Sequence, residues 1–217
     1  MKNVLNKRVY LVNFWLLFTV GTVTAQTNPK THDEGVKING IKWATRNVDA
    51  PGTFAAKPED PGMFYQWNRR VGWSATDPMV NSNGGTTWNS SNPAGSTWEK
   101  YNDPSPAGWR IPTKDEIDKL LDDTKVDSEW TEYGGVAGIK FTDKTSKKSI
   151  FLPAAGLRRL SNDPRHYDES ADGLYWSSTA YESDETGAYF LLFYSDGTGG
   201  SSANVRRDGF SVRSVAE

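Results

Sequence analysis

The side chains available for chemistry are carboxylates and aromatics, because most other reagents are missing. The chain has no cysteine and only two histidines, His32 and His166, far apart in sequence. A zinc site needs more soft ligands than that. No G-x-S-x-G elbow and no S-x-x-K occurs, so an activated serine has no support. Gly197-Thr198-Gly199-Gly200 lacks the Lys-Ser/Thr that completes a phosphate-binding loop. Glu59-Asp60 and Asp168-Glu169 are carboxylate pairs of the type a glycosidase uses, but among 27 acids such pairs arise by chance. Asp163, Asp168, Glu169 and Asp172 offer the several oxygens that calcium requires, at a spacing unlike the EF-hand. A solvated acidic loop competes with that reading. No other cofactor is implied, and no catalytic residue.

Recognition is better supported than catalysis. From Trp176 to Arg207, apolar runs alternate with stretches rich in Ser, Gly, Asp, Asn and Tyr. Tyrosine and tryptophan give rigid contact area, while Ser, Gly and Asn adapt their hydrogen bonding. The continuous run Ala188–Tyr194 implies a strand covered on both faces. Contacts are therefore expected from its flanks: Tyr181, Glu182 and Asp184 before it, and Tyr194, Asp196, Asn204 and Arg206 after it. They are expected to converge with the loops of Trp88 and Trp98. Ordinary turns would have the same composition.

The elements that must position these residues start from Gly108–Leu121. Thr113 and Glu116 spell a capping box, and Ile117, Leu120 and Leu121 form one apolar stripe, so a helix begins at about Lys114. Trp109 leads into it and, with Trp176 and Phe210, is expected in the core. Arg110 and Arg213 lie in apolar motifs and should each hold a carboxylate or carbonyls. Val36–Trp43 predicts a hairpin turning at Asn39-Gly40, with Ile38 facing Ile41 and Val36 facing Trp43. Residues 51–106 have almost no periodicity but many tryptophans, which implies a long ordered loop region. Asp127–Tyr133 reads as a short helical turn. Gly138–Thr142, Ser149–Pro153, Leu174–Ser178, Ala188–Tyr194 and Gly209–Val215 read as strands, and Ser195–Asn204 as a Gly/Ser loop.

Lys2, Lys7 and Arg8, the apolar run 9–20 and the small residues Val23-Thr24-Ala25 predict a secretory signal peptide over 1–25. Residues 26–34 read as a loose polar leader and 35–217 as a single domain. Removing 1–25 leaves 22 basic against 27 acidic residues, a net charge of −5, which gives no footprint for nucleic acid. The apolar run is too short for a comfortable span, so no integral membrane segment is expected after cleavage. An exported, cysteine-free chain has no disulfides and depends on its core, to which eight tryptophans contribute after cleavage.

Six motifs then resemble, in register over roughly 35–215, the Fibrobacter succinogenes major paralogous domain. They are Gly35–Val48, Gly62–Asn68, Gly108–Thr113, Phe151–Gly156, Tyr175–Ala180 and Gly209–Val215. That family looks like a branch of the C-type lectin fold, distantly similar to the formylglycine-generating enzyme family. The resemblance implies an α+β domain of short antiparallel strands, one or two helices and long ordered loops, with its termini paired as strands. It disfavours sulfatase-modifying chemistry, whose cysteines have no counterpart here, and calcium-type sugar binding, whose Glu-Pro-Asn or Gln-Pro-Asp triplets are absent. In some relatives the segment between the Trp-Ser-Ser and Gly-Phe-Ser-Val-Arg motifs is diversified and faces the ligand. The expectation is a non-enzymatic ligand-binding module of a Gram-negative bacterium, periplasmic, surface-displayed or released. Its partner would be an extracellular protein or glycan. An adhesive surface subunit and a carboxylate-based glycan-acting enzyme are the rivals.

Overall fold

In the structure, a computed structural model, residues 28–159, 166–167 and 171–217 are described. The expected signal segment 1–25 lies outside them. Residues 28–34 are docked rather than loose. Asp33 is buried, accepting hydrogen bonds from the Gly35 and Thr45 backbone, from the Thr45 hydroxyl and from Arg46.

β1 (Val36–Ile38) and β2 (Ile41–Trp43) form the predicted hairpin in the predicted register. Asn39 and Gly40 supply the two positive φ angles, 42° and 85°, that such a turn requires. The loop region is partly regular: β3 (Met63–Gln66) and β4 (Gly72–Ser74) pair within it, and a 3-10 turn covers Lys100–Asn102. β5 (Trp109–Arg110) leads into α1 (Lys114–Leu120). The helix starts as its sequence dictates, with Thr113 Oγ1 accepting from Glu116 N–H and Glu116 Oε2 accepting from Thr113 N–H. Ile117 and Leu120 are buried, and Leu121 packs beside them.

Next come β6 (Val126–Tyr133), β7 (Val136–Asp143) and β8 (Ser149–Pro153). The segment read as a helical turn is therefore a strand, paired residue for residue with β7 from Val126↔Asp143 to Tyr133↔Val136. Gly134 and Gly135, both at positive φ, make the turn that joins them. β9 (Leu157–Arg158) and β10 (His166–Tyr167) pair next. β11 (Asp172–Ala180), β12 (Gly187–Tyr194) and β13 (Gly197–Val205) then form one sheet. The predicted Gly/Ser loop is thus mostly strand, held on β12 by the ladder from Tyr194↔Gly197 to Gly187↔Val205. Its low strand propensity is overridden by an already formed partner. β14 (Gly209–Phe210) and β15 (Val215–Ala216) split the last predicted strand, and β15 closes the domain by pairing with β2 and β5.

The α+β, C-type lectin-like expectation is corrected. Among the described residues fifteen strands form four small antiparallel sheets, and there is one α-helix of seven residues. That helix buries only two side chains, so the sheets carry the fold. No helix among the described residues is long and apolar enough to cross a membrane.

Two apolar cores meet at the β11–β12–β13 sheet. Tyr175, Leu191 and Phe193 join Trp43, Ile117, Phe141 and Val215 on one side. Leu174, Trp176, Ala188 and Phe190 join Trp67, Trp98, Ile111 and Phe210 on the other. β12 is covered on both faces, as its continuous apolar run requires. Trp176 stacks on Phe210 at 4.1 Å and donates its indole N–H to the Tyr65 carbonyl at 2.7 Å. Trp109 departs from its expected core place: it is half-buried, edge-on to Phe54 at 5.6 Å.

Candidate functional site

The long loop region is pinned by polar side chains that replace missing strand partners. Buried Gln66 donates to the carbonyls of Asn89 (2.6 Å) and Arg207 (2.7 Å). Asn68, in the turn after β3, donates to Ala94 O at 3.0 Å and accepts from Glu99 N–H at 2.8 Å. Trp67 donates to Ser177 O at 3.0 Å and lies edge-on to Trp98 at 5.9 Å. Backbone groups buried in a loop must find such partners, and here amide side chains supply them.

Two neighbouring clefts result. The first, about 530 Å³, lies over Trp98, Trp109 and Ile111, with Arg70, Lys100 and Arg110 at its walls. The second, about 640 Å³, is lined by Arg69, Arg70, Trp73, Asn81, Asn89 and Tyr101, among others. Arg70 lines both, and the 3-10 turn gives Lys100 to one and Tyr101 to the other. Tyr101 stands 74% exposed.

The charges in the first cleft are largely matched. Arg110 grips Glu116 through two hydrogen bonds of 2.8 and 2.6 Å, as expected of a cation in an apolar motif. Burial pushes the Glu116 carboxyl up, but Arg110 and the Thr113 N–H outweigh it and hold its pKa below the ordinary value. Lys100 lies 3.3 Å from Glu217. Asp103 accepts from the N–H groups of Ser105 (2.8 Å) and Ile111 (3.0 Å), which engages both oxygens in holding the loop. No carboxylate among the described residues lines the second cleft. Among the described residues Arg69 donates only to Ser91, through its carbonyl (3.1 Å) and hydroxyl (2.8 Å), and its Nε finds no partner there; burial lowers its pKa.

The residues predicted to bind are divided between places. Tyr181, Glu182 and Asp184 occupy the turn between β11 and β12, where Tyr189 meets the Tyr181 ring edge-on at 5.3 Å and donates to Glu182 at 2.8 Å. Asn204 and Arg206 lie at that same end, across from Ala188 and Gly187. Tyr194 and Asp196 sit at the opposite end of the β12–β13 hairpin, beside Asp172. Trp88 packs on Trp73 at 4.9 Å. Trp98 is buried at 6% exposure beside Ser178. The loop before Trp98 does meet the Tyr181 end, through Arg206 to Pro93 and Gly95, but Tyr194 and Asp196 lie at the far end, so the expected single face is formed only in part.

Arg206 is a scaffold residue in this arrangement. It is 2% exposed, donates to the carbonyls of Gly187 (2.8 Å), Gly95 (2.8 Å) and Pro93 (3.1 Å), and lies 4.3 Å over the Trp67 ring. Arg213 is buried likewise, donating to Asn47 Oδ1 at 2.9 Å and Ala44 O at 3.2 Å, and desolvation lowers its pKa to about 10. Of the calcium candidates, Asp163, Asp168 and Glu169 lie outside the described residues, and Asp172 opens β11. No metal-sized group of His, Asp and Glu occurs among the described residues.

Sequence reasoning missed Arg69, Arg70 and Tyr101. Their only signal was membership of the tryptophan-pinned loop region, which has no periodicity to mark which side chains emerge.

Residues 125–215 match a family model described as a domain of unknown function (DUF8237). The match runs from the residue before β6 to the first residue of β15 and, Ser178 apart, leaves out every residue lining the two clefts. No curated protein and no solved structure matches the chain.

Proposed function

We propose that this chain is a non-enzymatic ligand-binding module, exported from the cell, that takes its ligand in the cleft beside Tyr101. Kinship with the Fibrobacter succinogenes major paralogous domain is part of the same proposal and rests on the six sequence motifs. The observation that carries the reading is Tyr101 itself, a large ring left 74% exposed at the edge of the second cleft. Exposed aromatics beside a concave, partly apolar surface are what recognition sites need, and water alone gives no reason to keep one there. Binding is favoured over catalysis because the first cleft's acids are committed: Asp103 to backbone amides and Glu217 to Lys100. A general acid or base needs a carboxyl free to exchange its proton with a substrate.

The test is a panel of glycans and peptides offered to the purified domain and to Tyr101→Ala. Binding lost in the variant with its melting temperature unchanged supports the reading. A panel ligand held equally by both proteins sinks it, as does turnover abolished by a single carboxylate change. Export is checked by sequencing the N-terminus of the mature protein, expected at Gln26.

A further inference from the structure

The second cleft has a surplus of hydrogen-bond donors. Arg69 and Arg70 line it without a carboxylate, and among the described residues neither makes an ion pair. The partners of Arg69 are neutral Ser91 atoms, and Arg70 donates to the Asp103 carbonyl. Two lining asparagines add to this. The side-chain oxygen Oδ1 of Asn81 accepts from the N–H groups of Asn83 and Gly85, both at 2.9 Å. That of Asn89 accepts from Ser91 N–H and hydroxyl at 3.1 and 2.9 Å. With their oxygens engaged within the loop, both side chains keep an NH2 group as donor. A cleft of this kind asks for a ligand rich in acceptors and negatively charged.

The cleft is also too large and too aromatic for an inorganic anion. It holds about 640 Å³, with Trp73 in its wall and the Tyr101 ring at its edge. A pyranose presents an apolar C–H face to such a ring and hydroxyl acceptors to the surrounding donors. We infer that this cleft recognises an acidic saccharide, a sugar unit whose carboxylate is met by Arg69 and Arg70 while its ring lies on Tyr101. The inference rests on the ligand-binding reading above and adds the class of ligand. Desolvation of Arg69, which lowers its pKa with no opposing charge beside it among the described residues, is the imbalance a ligand carboxylate would correct. A planar guanidinium suits a carboxylate through paired N–H donors, which a lysine does not offer.

Calorimetric titration with trigalacturonate, with neutral xylotriose and with a triglutamate peptide separates the outcomes. The expected result is binding of trigalacturonate, weakened by salt and at least about tenfold tighter than xylotriose, the equivalent of one charge-assisted hydrogen bond. Arg69→Gln and Arg70→Gln should each remove that preference, and Tyr101→Ala should weaken both sugars. Arg69→Gln also loses its Ser91 contacts, so its melting temperature is followed, and Arg70→Gln carries the test if Arg69→Gln is unfolded. Xylotriose bound as tightly as trigalacturonate, still dependent on Tyr101, would overturn the acidic class while leaving the binding module intact. Triglutamate bound more tightly than trigalacturonate and indifferent to Tyr101 would point to acidic peptides and overturn the saccharide. No heat with trigalacturonate also overturns it, whatever the wider panel shows.

Discussion

Arg206→Ala should destabilise the domain by about 3 kcal/mol, although sequence reading places this residue on an exposed loop. The guanidinium makes three hydrogen bonds to carbonyls, and a bond to an ionised donor contributes about 1.5–3 kcal/mol. The Trp67 ring adds about 1 kcal/mol of cation–π attraction. Against these stands the cost of desolvating a buried guanidinium, several kcal/mol, which truncation removes. The balance leaves about 3 kcal/mol, a substantial share of the roughly 5–15 kcal/mol typical of a domain. Urea unfolding followed by tryptophan fluorescence reads the total. Limited proteolysis reads the mechanism, because Pro93 and Gly95 are held to the sheet by this side chain and should be cut first once it is gone. Asp196→Ala, exposed at the far end of the hairpin, is the control and should stay within about ±0.5 kcal/mol. An Arg206→Ala protein with an unchanged midpoint and a protected loop at 92–95 would refute the reasoning.

Trp176→Ala should cost about 3–5 kcal/mol in urea unfolding, since it empties a fully buried site stacked on Phe210; a loss under about 1 kcal/mol would contradict that packing. Gly173→Ala places a methyl carbon 1.9 Å from the Phe193 ring, so the melting temperature should fall, and Phe193→Leu in the same chain should recover part of the loss. Asp143 is held at about 2 rather than 3.8 by the N–H groups of Ser146 and Asn39. A depressed carboxylate stabilises the fold above its unfolded pKa, and that contribution fades as pH falls from about 4 towards 2. The stability gap between the wild type and Asp143→Asn should therefore be widest at neutral pH and close across that window, and a gap independent of pH would disprove the assignment.

Local chemistry was legible where one signal was sufficient. Asn39-Gly40 supplies the positive φ pair that its turn needs, and Thr113 with Glu116 satisfies the N–H groups that open α1. β6 was misread because its apolar residues, Val126, Trp130 and Tyr133, recur at spacings a helix shares; the Gly134-Gly135 turn was the signal that should have decided for a hairpin. β13 carries almost no strand propensity of its own, so only the ladder offered by β12 makes it extended. The clefts were illegible for another reason. Their walls depend on Gln66, Asn68 and Arg206 reaching carbonyls far away in the chain, and composition does not report such pairings. A charged residue in a polar, glycine-rich stretch reads as solvated, which is why Arg206 was placed outside and Arg69 and Arg70 were passed over.

The sheet shared by the two cores gives the molecule no seam along which to come apart. β12 turns Leu191 and Phe193 to one side and Ala188 and Phe190 to the other. Opening either core would strip a face from the same strand, so the two should melt in one cooperative step rather than as separate foldons. Amide protons in the middle of β12 would then exchange with solvent only through global opening, while the cleft loops flicker at much lower cost. Ligand binding to the native state alone raises the free energy of that global opening. A saccharide resting beside Tyr101 should therefore slow amide exchange at Phe141, in the core on the far side of the sheet from Trp98.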